Sequence, residues 1–212
     1  MKESYFFKTV LPLSVAAIAM LLYFTGIAAG NHLLRLVAKP VPLLAFLFML
    51  KPSTLYRKYI FAGLLLSLTG DILLEASPDW FVFGLVSFLF AHIAYIIAFV
   101  RRSKKAGLLP LMFLSVFGII MFYILYPGLD GMMLPVAIYL TVILIMVWRA
   151  LAQRNFNNYS VYAAAGALFF LFSDGVLAID KFYSAVPYAR WIIMITYWVA
   201  QSLIFYSAFK RE

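Results

Sequence analysis

Two aspartates stand inside stretches otherwise built for hydrocarbon. Asp71 ends the uncharged run that starts at Tyr59, and Asp174 ends the one that starts at Asn155. Their settings repeat. Gly63–Leu74 reads GLLLSLTGDILL and Gly166–Leu177 reads GALFFLFSDGVL, so in both a glycine precedes the acid by eight residues. A small residue, Gly70 or Ser173, directly abuts it. Two carboxyl groups that share a low-dielectric site divide a proton between them, which makes an acid and a base from one residue type. The same pair can serve a transporter as its ion- or proton-coupling site.

Three further polar groups reach comparable depths. At 1.5 Å per helical residue, Asp71 lies about 20 Å beyond the charge of Lys58 and Asp174 about 24 Å beyond Asn158. Lys39 stands about 18 Å before Lys51. His92 and Tyr139 fall nearer the middle of their runs. An ionisable group inside a bilayer is costly and therefore faces the protein interior or a water-filled cavity. Taken singly, each has a plainer reading: Lys39 in a structural ion pair with an aspartate, or His92 bonded to a backbone carbonyl. Two repeated acids with a lysine and a histidine favour a shared polar site, with Asp71 and Asp174 as acid and base and Lys39, His92 and Tyr139 as tuning or substrate-binding groups.

The neighbours follow from helical spacing. Ser67, Asp71 and Glu75 share one face, with Glu75 expected as a solvated end at the outer interface. Phe88, His92, Tyr95 and Phe99 form one stripe, whose aromatics are read as packing. Gly84 and Ser87 allow a neighbouring helix to come close. Asp180, Lys181 and Arg190 are expected in an outer loop, in water or at the headgroups.

The elements that hold these residues must be membrane spans. Of 212 residues, 66% are hydrophobic and 12% charged, against about 25% charged in a soluble domain. About 20 apolar residues cross the hydrocarbon as a helix. Runs of that kind predict an all-α polytopic bundle of eight transmembrane helices, at about residues 10–30, 34–50, 59–75, 81–100, 107–126, 132–150, 158–178 and 188–209. The whole of 1–212 reads as a single integral membrane domain. The first run, with Ala28-Ala29-Gly30 at its end, has the cleavable look of a signal peptide, but its length exceeds the usual 7–15 apolar residues and points to a retained helix. The repeated aspartates are four helices apart, which suggests two four-helix halves arranged as a parallel repeat.

Charge sets the orientation. Thirteen of the 17 basic residues (Lys2, Lys8, Lys51, Arg57, Lys58, Arg101, Arg102, Lys104, Lys105, Arg149, Arg154, Lys210 and Arg211) fall on one side of the predicted spans. Arg35, Lys39, Lys181 and Arg190 fall on the other. The positive-inside rule then puts both termini in the cytoplasm. The net charge of +9 is thereby a topology signal with anionic lipid as its partner, and nucleic acid is not called for. Without cysteine there is no disulfide, thiolate metal site or thiol nucleophile, and two histidines cannot form a three-histidine zinc site. No cofactor or metal is expected, and nothing in the pattern fixes an oligomeric state.

Taken in order, several segments are familiar. They are Lys39-Pro40, LSLTGDILL (Leu66–Leu74), FGLVSFLFAHIAYIIAF (Phe83–Phe99), PVAIYL (Pro135–Leu140) with Met146, and GALFFLFSDGVLA (Gly166–Ala178). With them the chain resembles the lysoplasmalogenase (YhhN-like) family of eight-helix membrane proteins. The resemblance implies hydrolysis of the vinyl-ether bond of lysoplasmalogens to a fatty aldehyde and a glycerophospho-alcohol, with a lysophospholipid substrate in the bilayer. It also implies that Asp71 and Asp174 are the essential acids.

The residues suit that reaction. Protonation of a vinyl ether gives an oxocarbenium ion, and a positioned acid beside a negative charge supports such a species in glycosidases. Rival classes are less well supplied. A serine hydrolase lacks G-x-S-x-G, and a scaffold has no use for two buried acids. The strongest alternative is a small-molecule or proton-coupled transporter using the same aspartates. Short connections point to a bacterial inner membrane.

Overall fold

The structure, a computed structural model, describes residues 6–209. Lys2, Glu3, Lys210, Arg211 and Glu212 lie outside the described residues, and with them part of the charge balance. Among those described there is no strand, and eight helical segments are long and apolar enough to cross a membrane. The protein is therefore an all-α, multi-pass membrane protein. The α-helices are α1 (Leu11–Ala28), α2 (His32–Ala38), α3 (Val41–Met49), α4 (Leu55–Ala76) and α5 (Phe81–Arg102). They continue with α6 (Leu108–Leu125), α7 (Met133–Ala152), α8 (Ser160–Phe182) and α9 (Ala189–Phe209).

Where the sequence predicts one helix over about 34–50, the structure has two, α2 and α3, which together make the second span. The break falls at Lys39-Pro40. Proline has no N–H to donate, so Pro40 interrupts the hydrogen-bond ladder while Lys39 and Pro40 themselves keep helical backbone, at φ −55°, ψ −46° and φ −76°, ψ −18°. α2 closes with the Lys39 amide on the Arg35 carbonyl at 2.9 Å, and α3 restarts with Pro42 in its first turn, where the missing donor costs nothing. The turn before α2 needs Gly30 at φ 66°, a left-handed backbone that glycine adopts without strain. Asn31 then caps α2, its side-chain oxygen accepting from the Leu34 amide at 3.0 Å.

The chain forms two compact units, one through Ala94 and one from Tyr95. In the first, α1 packs on α2 and α3, while α2 and α3 pack on α4. α4 and the first part of α5 approach closely because small residues line the seam. A Cβ on Gly70 would lie 2.6 Å from the Phe88 ring, and one on Gly84 2.5 Å from the Leu74 side chain. Ser87 fastens the same seam by donating to the Leu66 carbonyl at 2.7 Å. The close approach expected at Gly84 and Ser87 is thus present.

The second unit is built on α8 and α9, its most extensively packed pair. Here Gly166 makes the room: its Cβ would stand 2.7 Å from the Ala200 carbonyl oxygen. Buried hydrogen bonds replace water-facing ones, Tyr95 donating to Gln201 Oε1 at 2.8 Å and Arg102 to the Ser207 carbonyl at 3.3 Å. α7 packs between α6 and α8. Near the ends of these helices Leu125, Leu129 and Val136 form an apolar cluster with Met121, Phe122 and Phe182. At the opposite end Arg149 donates to the carbonyls of Ser103 and Lys105, and the Trp148 indole donates to Gly107. These bonds tie the α5–α6 connection down on α7. α6 keeps most of its apolar side chains exposed, Phe113 and Ile119 among them, as a helix facing lipid tails does.

Candidate active site

In the second unit, Asp174 sits on α8 and Tyr139 on α7. The Tyr139 hydroxyl donates to Asp174 Oδ2 at 2.5 Å. Neither side chain is fully exposed or fully buried. The backbone around Asp174 is fixed from its other side. Ser173 is buried and donates its hydroxyl to the Ile193 carbonyl of α9 at 3.0 Å. Two turns earlier Gly166 lets α8 lie against α9. The small residue before the acid and the glycine before that therefore act together: they seat α8 and leave the carboxylate facing α7.

In the first unit, Asp71 on α4 is 2% exposed. Gly70, the residue before it, is where the Phe88 ring of α5 enters. Ser67, one turn earlier on the same face, is fully buried, and its hydroxyl has no hydrogen-bond partner among the described residues. His92, on α5, is also fully buried. The two repeat segments thus use their small residues alike, each pressing its helix on the next span at the position preceding the acid.

Lys39 has a different partner from an aspartate. Its ammonium lies 3.4 Å from Glu75 Oε2, and Arg35 Nε donates to Glu75 Oε1 at 2.8 Å. Tyr23 donates to the same carboxylate at 3.3 Å, and the His32 ring nitrogen bonds the Glu75 backbone oxygen at 2.7 Å. The side chain of Glu75 is 8% exposed. The expectation of a solvated end for Glu75 is therefore corrected. Two cations one helical turn apart on α2 and α3's lead-in draw the carboxylate inward, and a buried carboxylate persists where it is paired.

Arg35 and Glu75 are residues that sequence reasoning left out of the site. A signal was present: Arg35 and Lys39 are four residues apart, hence on one helix face, and Glu75 is four beyond Asp71. Gly26 completes the arrangement, since a Cβ there would meet Arg35 Cγ at 2.9 Å. Asp180 is exposed and caps the chain reversal after α8 by accepting from the Val186 amide at 2.9 Å. Among the described residues no group of three or more His, Asp or Glu could hold a metal ion.

The sequence model of the YhhN family matches residues 32–208. The chain is 40% identical over 172 residues to lysoplasmalogenase TMEM86B of Homo sapiens, covering 81% of this chain and 73% of that protein. It is 35% identical over 168 residues to lysoplasmalogenase TMEM86B of Rattus norvegicus, covering 79% and 69%. A lysoplasmalogenase of Mycobacterium bovis is 33% identical over 136 residues, 59% of this chain and 51% of that one. No solved structure matches. With the family's pattern running from α2 almost to the end of α9, and both aspartates inside it, the chain belongs to the YhhN family.

Proposed function

We propose that this protein is a lysoplasmalogen hydrolase whose working carboxyl groups are Asp71 and Asp174. One observation carries the activity: its relatives, matched over most of both chains in the human case, are named lysoplasmalogenase. The substrate class is a lysophospholipid held in the membrane, with the vinyl-ether bond as the point of attack.

The reaction is one of proton placement. An acid gives its proton to the β-carbon of the vinyl ether, the double-bond electrons forming the new C–H bond, and the ether oxygen shares a lone pair to make an oxocarbenium ion. Water adds to the α-carbon and loses a proton to a carboxylate. The hemiacetal then collapses to the fatty aldehyde and the glycerophospho-alcohol, with one water consumed. Asp174 accepts the Tyr139 hydroxyl, which suits it to the carboxylate role of supporting the cation and taking the proton from water. Asp71 is left as the proton donor, with His92 of the same unit as the group that tunes it. The two small-residue seams support treating the acids as counterparts in a parallel repeat.

Orientation belongs to the same reading. The basic residues gathered at one end of the spans support cytoplasmic termini and, with the short connections, a bacterial inner membrane. The test is direct: the purified protein in detergent, given 1-alkenyl lysophosphoethanolamine, releases free fatty aldehyde. No aldehyde, together with solute uptake into proteoliposomes, would overturn the enzyme in favour of a transporter.

A further inference from the structure

The cluster at the outer ends of α2 and α4 carries more positive charge than it neutralises. Arg35 and Lys39 are 8% and 7% exposed, and they share one carboxylate, Glu75. His32 reaches the same place from the exposed start of α2 by donating to the Glu75 carbonyl. Arg35 uses Nε on Glu75, and Nη1 has only a long, 3.5 Å contact with the Gly26 carbonyl. Its Nη2 makes no hydrogen bond among the described residues, and the Lys39 ammonium, a triple donor, makes one. A net positive charge held this far from water is stable when a ligand brings a matching anion.

We infer that Arg35 and Lys39, held in place by Glu75, form a subsite for the phosphodiester of the lysophospholipid substrate. The charge fits: a phosphodiester is a monoanion, and it would leave the cluster of two cations and one carboxylate neutral. The donors fit as well, since a guanidinium edge with an ammonium beside it suits two phosphate oxygens. So does the position. Glu75 is four residues beyond Asp71 on α4, about 6 Å along the helix axis, and stands one residue from the helix end. In the lysolipid the phosphorus is five bonds from the vinyl-ether oxygen through the glycerol carbons. A phosphate at Arg35 and Lys39 therefore leaves the vinyl ether one turn deeper, at the level of Asp71. Glu75 is a positioning residue in this arrangement: it aligns the cations without touching the phosphate.

This subsite rests on the lysoplasmalogenase reading, yet it can be tested without catalysis. The probe is 1-O-alkyl lysophosphoethanolamine, whose saturated ether is not cleaved, compared with 1-O-alkylglycerol, which lacks the phosphate. Wild-type protein in detergent is expected to bind the phospholipid at least about tenfold more tightly, the scale of one lost hydrogen bond to a charged group. In Arg35→Gln and Lys39→Gln that preference collapses, whereas Arg35→Lys keeps part of it and Glu75→Gln, which removes only negative charge, keeps or widens it. Equal weakening of both lipids in the glutamine variants, or an unchanged preference, would overturn the subsite and leave a structural ion cluster. Inorganic phosphate binding as tightly as the lipid would overturn the lipid headgroup as the ligand. Aldehyde release is measured separately, so a wild type that binds with the expected preference but releases none refutes the hydrolase and not the subsite.

Discussion

The hydroxyl of Tyr139 donates to Asp174, and in the proposed mechanism that single contact separates two roles that spacing leaves equivalent. Asp71→Asn and Asp174→Asn keep the shape of the side chain and remove proton transfer, so each is expected to lower aldehyde release by about 100-fold or more, with the purified variants eluting as the wild type does. Full activity in either variant refutes that acid. Tyr139→Phe removes a hydrogen bond to a charged group, about 1.5–3 kcal/mol, and is expected to lower kcat by at least about tenfold while KM changes little. A rise in KM at constant kcat would make Tyr139 a binding residue instead. At this scale the sequence is legible where costly residues recur: Asp71 and Asp174 stand out because hydrocarbon-facing helices do not carry acids without reason. Glu75 was less legible. Its partners Arg35 and Lys39 lie 40 and 36 positions away, and only the packing of α2 on α4 shows that their charges meet.

Glycine does most of the positioning at the scale of elements, and it does so in two energetic classes. At Gly166 an added methyl would strike the backbone oxygen of Ala200 at 2.7 Å and Ile204 behind it. At Gly118 it would meet the end of the Leu144 side chain at 2.5 Å, which can rotate away. Alanine favours an α-helix over glycine by about 1 kcal/mol, so Gly118→Ala is expected to leave the thermal midpoint in detergent unchanged or raise it. Gly166→Ala must push α8 from α9 and is expected to cost about 1–3 kcal/mol, with a lower midpoint and, because Asp174 rides on α8, lower activity. Equal midpoints for the two variants would show that the α8–α9 seam is not rigid. The helices themselves were legible because each span is long and apolar. The division of the second span into α2 and α3 does not follow from Lys39-Pro40 alone, although proline supplies the reason, since a kinked continuous helix satisfies the same residues.

For the whole molecule, composition settles the solvent and charge gives the expected direction, but the two act at different strengths. A chain with 66% hydrophobic residues must hide them in lipid, and the exposed faces of helices such as α6 carry that requirement visibly. The proposed orientation rests on a weaker bias, the sequence-based expectation of 13 basic residues on one side of the spans and four on the other, and packing within the protein does not encode it. The two ends of α5 give the cleanest test. Asp79 lies in the exposed turn before this helix and Lys104 in the exposed segment after it, about 33 Å apart along a 22-residue helix. The chain has no cysteine, so Asp79→Cys and Lys104→Cys each introduce one thiol without background. In intact cells a membrane-impermeant maleimide is expected to label the thiol at position 79 and to reach position 104 only after permeabilisation. The reverse pattern would invert the protein and place the Arg35–Lys39 subsite, with the headgroup it is inferred to hold, on the cytoplasmic face.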